Sequence, residues 1–241
     1  MKDITPWTLL RGGKAEQRQG IRQLYEANTR ERDGSTIMEL GVGYLWINQY
    51  EEAWEHFNDA IEHFPIKGDA FYGMAGTAKW CLGEPAEAVS HWRAGLTAKY
   101  ARASGLGIRM PLLLFFVSVV KPELVDYTFV KRLLLEKAED PGMDNWPAPI
   151  AKRVLGQITD EELRKNCSAD ADDASDARDC LWLAEFYEAL MNRKQSTTSA
   201  FRARMHDWAD TGKPEWQDED AFFTRIWSEE FFLGRHEARK P

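Results

Sequence analysis

Apolar residues recur along this chain three and four apart, the period of a helix that buries one face. Ile21, Leu24, Tyr25 and Asn28 stand at that spacing in 14–32, and Asp33-Gly34 ends the element. Two helical pairs follow. The first is 35–48 and 50–64, capped by Ser35, turned at Asn48-Gln49 and stopped by Pro65. The second is 69–82 and 86–100, capped by Asp69 and turned at Gly83-Glu84-Pro85, with Gly83 ending one helix and Pro85 opening the next. Beyond them, 103–120 and 123–139 read as a hairpin whose first helix is apolar all round. Its second helix is amphipathic through Leu124, Tyr127, Val130, Leu133 and Leu134, with Pro122 in the first turn. The expected fold class is all-α.

The two pairs are copies. An offset of 35 residues places Gly41 on Gly76, Leu45 on Trp80, Ala53 on Ala88, Phe57 on Trp92 and Ile61 on Leu96. Ala, aromatic and aliphatic at four-residue steps share one helix face. A mid-helix glycine costs about 1 kcal/mol in propensity and is useful only where another helix crosses closely. Ile37, Leu40, Gly41, Tyr44, Tyr50, Ala53, Phe57, Ala60 and Pro65 of the first copy closely resemble the tetratricopeptide repeat (TPR). The second copy is similar through Tyr72, Ala75, Gly76, Ala78, Gly83, Ala88, Trp92 and Leu96, and departs at Lys79 and Tyr100. The resemblance covers about 67 residues and implies a solenoid of antiparallel helix pairs, whose first helices form a concave protein-binding wall.

After the repeats, a Trp-Pro turn leads to a short helix through Ile150, Val154 and Leu155, a stop at Gly156, and a helix capped by Thr159 in a capping box with Glu162. The stretch 168–179 carries five aspartates and reads as a solvated linker and helix-capping run. It is no EF-hand, because Ser175 and Leu181 occupy the positions that need Gly and Glu. A degenerate hairpin (180–192 and 196–210) and an amphipathic capping helix (218–234) close the chain. The domain organisation expected is thus 1–33, 34–100, 101–166 and 167–241. The layout is similar to that of bacterial TPR lipoproteins that act as adaptors, but the opening MKDITPWTLLRGGK has no signal or lipobox.

Composition narrows the partners. The 31 Lys and Arg against 39 Asp and Glu leave a net charge of −8, which argues against nucleic acid and suits a basic protein. The longest apolar run, 110–120, is short of the about 20 residues that span a bilayer. Three scattered cysteines suit a reduced cytoplasm. Ten tryptophans outnumber the methionines and histidines, and ask whether they are core or binding surface.

Catalytic patterns are missing. There is no GxxxxGK, GxGxxG, HExxH or GxSxG, and Gly12-Gly13-Lys14 lacks the earlier glycine of a phosphate loop. His56, Asp59 and His63 share a helix face without a fourth metal ligand, so a solvated face is the better reading. The expectation is a non-enzyme without cofactor or metal. By the TPR resemblance, the concave wall presents Met38, Val42, Leu45 and Trp46 from the first repeat and Gly73, Thr77, Trp80 and Cys81 from the second. Of these, Met38, Val42, Leu45, Trp46, Thr77 and Trp80 are the candidate binding residues. The Lys and Asn that clamp a C-terminal carboxylate in chaperone-binding TPRs are absent, so a free carboxylate is not the expected ligand. Either the wall stays open for a partner or the chain's own terminal helices fill it. The expected function is a protein-binding adaptor in the cytoplasm. Its rivals are a bacterial immunity protein that neutralises a basic toxin, and a metal-dependent regulator or enzyme.

Overall fold

A computed structural model describes residues 5–10, 12–64, 68–98, 106–139, 146–169 and 174–191. Among the described residues the regular elements are all helices, and within each of two units those adjacent in sequence pack together. The chain divides into two compact units, Met1–Arg102 and Ala103–Pro241.

The first unit contains α1 (Pro6–Leu10), α2 (Lys14–Arg30), α3 (Gly34–Trp46), α4 (Tyr50–His63), α5 (Asp69–Cys81) and α6 (Pro85–Gly95). The hydrophobic pattern does not announce helix α1, whose five residues are too few to establish a helical period. It approaches α2 so closely that a Cβ on Gly20 would lie 2.9 Å from the Pro6 carbonyl oxygen. The α3–α4 and α5–α6 hairpins repeat each other in detail. A Cβ on Gly41 would lie 2.5 Å from the Phe57 ring, and one on Gly76 would lie 2.3 Å from Trp92 Nε1. Phe57 and Trp92 are fully buried by this fit. Each such burial contributes about 2–3 kcal/mol, which offsets the glycine's propensity cost of about 1 kcal/mol.

The turns repeat as well. The Gln49 N–H donates to the Tyr44 carbonyl (2.9 Å) and the Asn48 N–H to that of Leu45 (3.1 Å). Thirty-five residues on, Glu84 donates to Lys79 (3.0 Å) and Gly83 to Trp80 (3.0 Å). These are Schellman closures, and their pivots have positive φ, 62° at Asn48 and 81° at Gly83. Two caps differ from expectation. Asp33, rather than Ser35, caps α3, its Oδ1 accepting from the Thr36 N–H at 2.8 Å. Gly68 holds the cap position of α5, with Asp69 its first helical residue.

In the second unit, a 3₁₀ turn (Leu106–Ile108) leads into α7 (Arg109–Val120), buried from Met110 to Ser118 as its all-round apolarity requires. The hairpin expected to continue the repeats therefore opens this unit. Pro122 lies in a turn and not in a helix; α8 (Tyr127–Ala138) begins after Asp126, whose carboxylate accepts from the Phe129 N–H at 2.8 Å. Then come α9 (Ala148–Val154), α10 (Asp160–Ala169) and α11 (Ala174–Met191). Gly156 ends α9 in a third Schellman closure at φ 73°. The Thr159–Glu162 capping box forms: Thr159 N–H donates to Glu162 Oε2 (2.7 Å), and Glu162 N–H donates to Thr159 Oγ1 (3.2 Å). The ends of the acidic stretch close α10 and open α11. Phe116 meets Phe186, and Phe115 meets Tyr187, at centroid distances of 5.9 and 6.2 Å. The helices expected at 196–210 and 218–234 lie outside the described residues.

Candidate partner-binding face

Met38, Val42 and Trp46 fall at four-residue steps on α3, and the structure leaves all three half-buried. They form one apolar stripe, with Glu39 exposed beside it. Leu45 is not part of it. At 1 % exposure it belongs to the core, its place on α3 turned toward the hairpin interior. Trp46 is also less free than expected. Its indole N–H donates to the Leu10 carbonyl at 3.1 Å, and its ring packs with Ile21, Tyr44 and Ile47 around buried Leu10, Leu24 and Leu40. Helices α1 and α2 thus cover the Trp46 end of α3.

The corresponding positions of α5 are closed. Gly73, Thr77 and Cys81 are buried. The Thr77 hydroxyl donates to the Gly73 carbonyl within its own helix at 3.0 Å. Trp80 is only 4 % exposed and stacks on Trp92 at 5.8 Å. The expected groove wall at Thr77 and Trp80 is corrected to core, because α5 lacks the exposed side that a helix at an open wall would keep. Periodicity cannot distinguish the two cases when both faces of a helix are apolar.

A polar cluster that motif reading does not single out joins the two hairpins. It stands at Lys79, where the second copy departs from the aromatic of the first. In the first hairpin Tyr44 stacks on His56 at 5.3 Å, the planes 10° apart. In the second, Lys79 is 6 % exposed, its ammonium paired with Glu84 at 2.8 Å and Glu87 at 3.1 Å and lying 3.9 Å over the Trp54 ring of α4. Burial opposes the charge, but the hydrogen bonds to Glu84 and Glu87 outweigh it and raise the Lys79 pKa. Trp54 in turn donates its indole N–H to His91 Nε2 of α6 at 3.2 Å. Lysine in place of the aromatic is the available sequence signal, because a buried ammonium requires carboxylate or aromatic partners.

The acidic and histidine pair at the end of α4 makes surface contacts. Asp59 pairs with His63 at 3.1 Å and with Arg32, and His56 faces Tyr44 instead of joining them. Among the described residues no three His, Cys, Asp or Glu side chains are placed to hold a metal ion. Likewise, no helix there is long and apolar enough to cross a membrane. Helix α4 carries Glu51, Glu52, Glu55, Asp59 and Glu62 and no Lys or Arg.

No protein-family model, curated protein or solved structure matches this chain.

Proposed function

We propose that this protein is a non-catalytic, TPR-type binding module that engages a protein partner through α3. The observation that carries this reading is the half-buried stripe of Met38, Val42 and Trp46 beside two hairpins that share one helix-crossing device and one turn. Apolar anchors held on a rigid helix lose little entropy on binding, so they can supply most of the affinity of a small interface. The acidic α4 and the net charge of −8 favour a basic partner, whose approach they would accelerate at low salt.

The test replaces Met38 and Val42, which hold no hydrogen-bonded role in the core, with Ser. Pull-down with mass spectrometry then compares the variant with the wild-type chain. Loss of a specific partner with an unchanged melting temperature supports the reading, and undiminished capture of every partner refutes it. Dependence of the captured complex on salt would separate a basic partner from a neutral one.

A further inference from the structure

An indole N–H can only donate a hydrogen bond, so the 3.2 Å contact from Trp54 requires His91 Nε2 to carry a lone pair. His91 is therefore neutral in this fold, with its proton on Nδ1. The bond runs from α4 to α6 and so ties the first hairpin to the second. The same Trp54 ring carries the Lys79 ammonium on its face at 3.9 Å. A second positive charge at His91 would arise beside a cation that is already buried.

We propose that the Trp54–His91 contact is a proton-sensitive latch between the two hairpins. Protonation converts Nε2 from acceptor to donor and sets two N–H groups against each other. Relief comes when the α4 and α6 side chains rotate or move apart, and either breaks the bond. The charged groups acting on the ring are Lys79 from α5, which opposes protonation, and Glu87 from α6, which favours it; α4 contributes the uncharged indole. Glu87 is committed to Lys79 at 3.1 Å, which weakens its support for an imidazolium. Burial, the largest influence, and Lys79 together hold the His91 pKa below the ordinary histidine value. The latch is thus closed at neutral pH and opens as the pH falls below the ordinary histidine value.

The full-length chain tests this in two measurements. NMR titration of the imidazole Cε1 proton, assigned by its loss in His91→Gln, should give a midpoint below about 6.5. Hydrogen exchange of α4 and α6, corrected for intrinsic rates, should lose about tenfold in protection between about pH 7.5 and about pH 5. His91→Gln keeps an acceptor through Oε1 but gains no proton, so it should cut that loss to the part that His56 contributes. A midpoint at or above about 6.5, or an equal loss in wild type and His91→Gln, overturns the proposal. Should His91→Gln fail to fold, Trp54→Phe deletes the donor and keeps an aromatic face for Lys79. The His91 midpoint must then rise, and an unchanged midpoint overturns the latch.

Discussion

At Gly41 and Gly76 the spacing of a repeat becomes a steric requirement. A methyl group at Gly76 would strike Trp92, whose indole N–H is bonded to the Gly73 carbonyl at 3.0 Å and cannot swing away. Gly76→Ala should destabilise the first unit by about 1–3 kcal/mol by overpacking, and Gly41→Leu by more, as read from urea denaturation midpoints. A neutral result would mean that the helices can separate without loss. Trp80 belongs to the same class: truncation to Ala should cost about 3–5 kcal/mol, because it empties a site stacked on Trp92. A Trp80→Ala variant that melts like wild type would place this side chain at the surface instead.

Helix ends decide the element scale. Asp33 satisfies the Thr36 N–H, and Thr36 Oγ1 accepts from the Asp33 N–H at 3.2 Å, so Asp33→Ala should cost about 1 kcal/mol through α3. Gly83 stands at φ 81° with open space where a Cβ would point, so Gly83→Ala carries only the backbone cost of a left-handed residue, about 1–2 kcal/mol. Thermal melts of the two variants distinguish a lost cap from a strained turn, since Asp33→Asn should restore the first and nothing but a return to Gly or Asn the second. At α10 the Thr159 backbone and hydroxyl donate to Glu162 and hold its carboxyl below the usual range. A carboxylate lowered in the fold stabilises above its unfolded pKa, and that support disappears as pH falls through the folded value. The first turn of α10 should therefore fray in acid, as carboxyl NMR titration with Thr159→Ala as reference would reveal.

Between neutrality and the ordinary carboxyl value, acid acts with opposite sign on the buried titratable groups of the two units. His56 and His91, 35 residues apart in the repeat, both have pKa values lowered mainly by burial. Between their folded values and about 6.5 the unfolded chain binds more protons, so the first unit loses stability as pH falls through that window. In the second unit burial raises the Glu188 carboxyl, although Arg164 at 2.7 Å opposes the shift. Above the ordinary carboxyl value this group favours its protonated form, and acidification relieves it. From about pH 7 to about pH 5, exchange protection should fall in the first unit relative to the second; a uniform fall would refute the assignment.

The helices, the 35-residue repeat, and the glycine and capping devices that work over a few residues, such as Gly156 and the Thr159–Glu162 box, are legible in the chain alone. Their physics is local: a turn needs its left-handed residue and a helix its cap, whatever lies elsewhere. Pro122 and Ser35 mislead a reading of helix ends because a proline fits a turn as readily as a helix start, and Asp33 competes for the same N–H groups. Packing alone makes Trp80 core, half covers Trp46 with α1 and α2, and buries Lys79 against Trp54. These outcomes depend on which elements come to lie against each side chain. Of the ten tryptophans, the two assigned to an open wall therefore separate: Trp80 supports the fold, and Trp46 remains at the edge of the α3 stripe.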